Sequence, residues 1–252
     1  MRSCVLFALV SAMATGCGGV LKNQYEYEEE LYLALDGSAI VNVNASVAAL
    51  VAMRGADLNL NPRSRFDRER IRAFFEGPGA TVTAVSPSRR DGRRFVHVSV
   101  AVADVTSLQR LAPFAWSSYR FDRAGDVFDF RQQVGAPAAR RVGDVGWDGR
   151  ELVVFRIHLP SRIPFHNAPS RQIERGNILS WEQPLADRLR GTPVDIRVQM
   201  ETQSILSRTL LLFGATVVAA LATLGGVVWW VSRRGREEDS PQQAAGSGLG
   251  GP

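Results

Sequence analysis

Tyr25–Val43 reads YEYEEELYLALDGSAIVNV. Tyr25, Tyr27, Glu29, Leu31 and Leu33 alternate with Glu26, Glu28, Glu30 and Tyr32, which is the two-residue period of a strand. Asp36-Gly37 supplies a turn and alternation resumes at Ile40–Val43, so the stretch predicts a β-hairpin. Glu26, Glu28 and Glu30 fall together on one strand face among polar neighbours, which reads as a solvated face.

Working outward, Asn44-Ala45-Ser46 offers side-chain caps to the Ala-rich run Val47–Arg54, and Gly55 ends it. That short helix is apolar nearly all round and needs a sheet to bury it. A second helix is expected over Arg65–Glu76, with Ile71, Phe74 and Phe75 inward and Gly77-Pro78-Gly79 as the stop. Ala80–Ser88 and Arg94–Ala103 form a second hairpin around Asp91-Gly92, with Val96, Val98, Val100 and Val102 on the core face. Asp104 caps a short helix reaching Leu111. Further strands follow at Ser117–Phe121, Val127–Gln133, Leu152–Leu159, Ile178–Trp181 and Val194–Met200, separated by long loops at Gly135–Gly149 and Pro160–Gly176. Consecutive hairpins with a few inserted helices predict an α+β domain: an antiparallel sheet of hairpins backed by short helices.

The two flanks of that domain read as membrane signals. Arg2 followed by the apolar Val5–Ala14 and then small residues is the pattern of an export signal, too short to span a bilayer. Its end, Ala14-Thr15-Gly16-Cys17, has the form of a bacterial lipobox, which makes Cys17 a candidate lipid-attachment site. Leu210–Val231 is free of charge, and Arg233, Arg234 and Arg236 follow it. At about 1.5 Å per residue such a run crosses a hydrocarbon core of about 30 Å. Trp229 and Trp230, with Arg233 and Arg234, are the candidate membrane-interface anchors. The expected organisation is a signal at 1–17, an exported domain at 18–208, a transmembrane helix at 209–232 and a disordered cytoplasmic tail at 233–252. Ordered this way, the signals predict a single-pass inner-membrane protein of a bacterial envelope, with its folded domain outside the cytoplasm and its C-terminus inside.

Composition narrows the chemistry. The chain is +5 overall, but residues 18–208 hold 26 Lys plus Arg against 22 Asp plus Glu, dispersed rather than clustered. Nucleic acid is therefore not an expected partner. With only Cys4 and Cys17 and three histidines, neither a disulfide nor structural zinc is expected, and no cofactor is implied. There is no nucleophile-elbow serine, phosphate-cradling glycine loop or zinc-binding helix, so no catalytic residue is assigned and the chain does not read as an enzyme. His158 and His166 read as scattered loop residues, and His97 as a surface or groove residue on a strand. Phe74, Phe75, Phe95, Phe114, Trp116, Trp147 and Trp181 read mostly as core, with some available to line an apolar groove.

The segment Gly176-Asn177-Ile178-Leu179-Ser180-Trp181-Glu182-Gln183-Pro184-Leu185, followed by Val194–Met200 and the apolar helix with its Trp-Arg exit, resembles the C-terminal half of LppM-type bacterial envelope lipoproteins. The order of lipobox, α+β exported domain, single helix and polar tail is similar too. The resemblance implies an envelope protein, lipidated at Cys17, whose exported domain binds membrane lipids or glycolipids. No catalytic motif defines that family. The alternative expectation is a scaffold for other envelope proteins.

Overall fold

β1 (Tyr25–Leu33) and β2 (Ala39–Ser46) form the expected hairpin. The computed structural model describes residues 24–238, so the export signal and Cys17 lie outside the described residues. α1 (Val47–Arg54) follows at once, because Ser46 Oγ accepts from the Ala49 amide and Gly55 closes the helix at φ 70°. All eight of its residues are buried: the seven apolar ones as expected of a helix apolar nearly all round, and Arg54 with them. α2 (Arg68–Phe75) starts later than its apolar pattern suggests, because Asp67 takes the capping position and accepts from the Arg70 amide.

β3 (Ala80–Arg90) and β4 (Arg93–Val102) make the second hairpin, and Val96, Val98, Val100 and Val102 are buried. A 3₁₀ turn at Val105–Arg110, capped by Asp104, leads to β5 (Ser117–Ala124) and β6 (Val127–Val134). Then come β7 (Leu152–His158), the two-residue β8 (Phe165–His166), β9 (Ile178–Pro184), α3 (Leu185–Leu189) and β10 (Val194–Glu201).

The strands build two sheets rather than one: β3-β4-β2-β1-β7-β9 and β5-β6-β10-β8. One buried cluster joins their inner faces, from Val43 and Phe155 on the larger sheet to Phe130 and Val198 on the smaller. Most neighbours are antiparallel, but β1 and β7 run parallel, Tyr32 opposite His158. Hairpin spacing forecasts pairing between sequence neighbours only, and β7 reaches β1 after more than a hundred intervening residues. The loop expected at Pro160–Gly176 contains β8, which pairs with β10 at Val198 and Gln199.

The described residues from 203 to 238 belong to a separate unit. In it α4 (Ile205–Glu238) is one continuous helix, running past the boundary expected at residue 232. No proline interrupts it before Pro241. Within it Thr209–Arg234, whose most apolar 18 residues have a mean hydropathy of 2.2, is long and apolar enough to cross a membrane.

Candidate functional site

The register places the candidate site at one end of the domain. Ile40 pairs with Tyr32, Tyr32 with His158, and His158 with Ile178. Glu201, the last residue of β10, donates its amide to the Arg162 carbonyl just beyond β7, and Thr202 donates to Asp126 in the β5–β6 turn. The chain thus leaves the domain at the end where β1 finishes. It enters at the opposite end, where the Gln24 carbonyl accepts from the Leu152 amide. Nine residues of β1 separate the two ends, or about 30 Å at about 3.3 Å per residue.

At the exit end lies a groove of about 530 Å³, walled by Tyr32, Leu33, Ile40, Val102, Leu159 and Pro160. His158 stacks on Tyr32, ring centroids 3.9 Å apart and planes 15° apart. Burial pushes the His158 imidazole below its usual pKa, more strongly than Glu30, 4.0 Å away, raises it. The ring is therefore neutral at pH 7 and presents an apolar face to the groove. Burial likewise raises the Tyr32 phenol, whose hydroxyl donates to Glu30 Oε2 at 3.3 Å. The result is an uncharged slot with carboxylate and arginine chemistry along one side.

That side is the outer face of the larger sheet. Arg156 reaches Glu28 at 3.0 Å and Glu30 at 3.3 Å, and Arg90 reaches Glu28 at 3.4 Å. Asn44 donates to Glu28 at 2.7 Å. Glu28, Glu30 and Asn44, with His97, border a smaller polar groove of about 330 Å³. Ser88 Oγ and His97 Nε2 are 2.8 Å apart, and burial lowers the His97 pKa. A hydroxyl beside an imidazole is the start of a nucleophile pair, but here it sits on a regular hairpin with no acid hydrogen-bonded to the ring.

The acidic strand departs from the solvated face expected of it. Glu26 is fully buried: it accepts from Trp147 Nε1 at 3.0 Å and pairs with Arg93 at 3.2 Å. Glu28 and Glu30 are half-buried and paired. Glu29, on the opposite face, points into the space between the sheets. It accepts from Arg54 and Tyr27, each at 2.7 Å, from Gln132 at 2.9 Å and from Tyr119 at 3.3 Å. Arg54 also donates to the Tyr27 hydroxyl and lies 3.1 Å from the Trp116 ring centroid. Desolvation drives the Tyr27 and Tyr119 phenols well above their usual pKa, so both stay protonated donors. Arg188, fully buried and 5.1 Å from the Trp116 ring centroid, donates to the Thr192 and Gly135 carbonyls. Burial, with Arg54 nearby, lowers its pKa to about 10.

The other residues singled out by sequence fall as follows. His158 and His166 end up on strands of different sheets instead of sharing a loop. Phe75, Phe95, Phe114 and Trp181 are core. Trp116 lines a separate groove of about 750 Å³ beside Ser117 and Gly135. On α4, Arg233 lies over the Trp229 ring at 5.4 Å and Arg234 over Trp230 at 3.9 Å. Among the described residues no three His, Cys, Asp or Glu side chains converge as a metal site.

Compared with proteins of solved structure, the chain is similar to one from Mycobacterium tuberculosis. That neighbour is the folded domain of LppM, determined by NMR. The match covers 74% of this chain and 95% of that one, at 13% identity and a TM-score of 0.38, a distant likeness from which no residue's role is transferred. No family model matches the chain, and no curated protein is similar to it.

Proposed function

We propose that this is a single-pass, membrane-anchored protein of a bacterial envelope whose exported domain is a non-catalytic binding module for lipid or glycolipid. The observation that carries this reading is the groove between Tyr32, Ile40, Leu159 and Pro160. It is predominantly apolar, large enough for part of an acyl chain, and bordered on one side by Glu30 and Arg156 for headgroup contacts. It lies at the end from which the chain continues toward an apolar, membrane-length helix. The export signal, Cys17 as lipid-attachment site, and Arg233 and Arg234 on the cytoplasmic side of the span complete the topology.

The test uses the full chain extracted with its native lipids in styrene–maleic acid discs, and compares it with Ala101→Trp. Ala101 lines the groove and is partly exposed, so the indole fills the slot without entering the core. Mass spectrometry should find a lipid species enriched over bulk membrane with the native chain and depleted with the variant. Equal lipid profiles for the two chains would sink the proposal.

A further inference from the structure

Beyond the groove, the exposed apolar side chains of the domain share one location. Among the described residues of the folded domain, the exposed large hydrophobics are Tyr32, Ile40, Phe165 and Ile173, at 39%, 47%, 48% and 44% exposure. Tyr32 and Ile40 face each other across the β1–β2 hairpin, near its turn. Ile173 adjoins Glu174, which bridges to Ile178, the register partner of His158. Phe165 pairs with Gln199, two residues before the end of β10. Two segments distant in sequence, the β1–β2 hairpin and the stretch from β8 to Ile173, therefore bring all four side chains to the exit end.

The opposite end is different in kind. Around Gln24 no large apolar side chain is exposed among the described residues, and exposed charges stand there: Asp91 at the β3–β4 tip, and Asp148 with Arg150 in the segment before β7. Monomeric soluble surfaces scatter apolar residues singly, and segregation to one end marks a surface with a use.

We infer that the exit end is a bilayer-docking face, with these four side chains entering the lipid interface. Chain length supports the bilayer as occupant. Thr209, where the membrane-length segment begins, is eight residues beyond Glu201. Because α4 begins at Ile205, four extended steps at about 3.6 Å and four helical steps at about 1.5 Å give the connection a reach of at most about 20 Å. The exit end is thus held near a membrane whatever else the domain does. Tyrosine and phenylalanine suit the interfacial layer, where an apolar ring meets water. Charge is secondary here: exposed Arg162, Arg171 and Arg175 are offset by Asp36, Asp126 and Glu174 at the same end. Docking therefore needs no anionic lipid. This inference rests on the membrane anchoring of the chain and is independent of whether the groove holds a lipid.

The experiment places a photo-crosslinking residue at position 40, 165 or 173 of the full chain, with positions 91 and 150 as opposite-end references. The protein is reconstituted in phosphatidylcholine nanodiscs and adducts are read by mass spectrometry. The expected result is several-fold more lipid adduct at 40, 165 and 173 than at 91 and 150. It should persist when NaCl rises from about 0.1 M to about 1 M, which cuts the screening length from about 10 Å to about 3 Å. Equal yields at both ends would overturn the inference, as would loss of adducts in high salt. Lipid adducts at position 40 alone would overturn docking while leaving groove binding intact. Protein–protein adducts replacing lipid at these positions would overturn it in favour of contact between copies of this chain.

Discussion

Glu29 Oε2 and Arg54 Nη2 lie 2.7 Å apart between the two sheets, with 4% and 1% of their side chains exposed. β1 of the larger sheet supplies the carboxylate, and Tyr119 of β5 and Gln132 of β6 in the smaller sheet donate to it. The pair therefore fixes how the two sheets face each other, a task that nondirectional apolar packing does less sharply.

Glu29→Gln leaves Arg54 charged and uncompensated in the interior. Breaking one partner of a buried pair costs about 3–5 kcal/mol, whereas replacing both by apolar residues is often close to neutral. Chemical denaturation of the full chain, followed by tryptophan fluorescence, should show a large loss for Glu29→Gln. Much of it should return in the double variant Glu29→Leu/Arg54→Met. Equal losses in the two would mean that the ion pair has no special role.

The same pair shows what the sequence could and could not disclose. Alternation in Tyr25–Leu33 set Glu29 on the face of Tyr27, Leu31 and Leu33, so the signal for its burial was already present in the register. Its partner was not, because Arg54 ends a helix 25 residues away and nothing local ties the two. Glu26, assigned to a solvated face by its alternation, is buried for a related reason. The register shifts between Tyr25 and Tyr27, and Trp147 and Arg93, which cover Glu26, arrive from distant segments. Hairpins, caps and the all-Val face of β4 were legible because they depend on neighbours in the chain. The parallel β1–β7 contact and the groove at its end were not, because long-range pairing assembles them. Apolar aromatics were a poor guide to the groove: Phe75, Phe95 and Trp181 filled the core, and Tyr32 and Ile40 built the slot.

Acidification provides a second measurement. Burial depresses both His97 and His158 below the ordinary histidine value of about 6.5. A depressed pKa means that the unfolded chain takes up protons first, so stability is greatest above about pH 6.5 and falls as pH drops through the folded values. Stability of the native chain should therefore decline as the pH falls below about 6.5. His97→Gln/His158→Gln should flatten the curve in that window and leave the carboxylate region below about pH 4 unchanged. An unaltered slope would refute the assignment.

Gly135 has no room for a side chain. A Cβ there would stand 2.9 Å from the Trp116 carbonyl oxygen, a backbone atom that cannot swing aside. The Gly135 amide already donates to that oxygen at 2.7 Å, and its own carbonyl accepts from Arg188. Gly135→Ala should cost about 1–3 kcal/mol by forcing these segments apart and loosening Arg188. Gly125→Ala is a reference for the general effect of removing a positive-φ glycine, since nothing lies within 4 Å of its added Cβ. A smaller loss at Gly135 than at Gly125 would contradict the steric account.

Leu221 stands near the midpoint of the Thr209–Arg234 segment, 26 residues long and so about 39 Å at about 1.5 Å per residue. That length exceeds a hydrocarbon core of about 30 Å and leaves the Trp230–Arg234 stack at one margin, where an indole and a guanidinium both find partners. An arginine at the centre has no such margin within reach and costs about 2.5–3.5 kcal/mol on insertion, whereas one near an end extends its head to the interface. In a Cys17→Ala chain, which has no lipid at its N-terminus to hold it, Leu221→Arg should therefore release a substantial share of the protein from membranes washed with alkaline carbonate, and Leu210→Arg much less. Because the two variants carry the same charge, a difference between them reports depth. Equal retention of both would show that this segment does not lie across the bilayer.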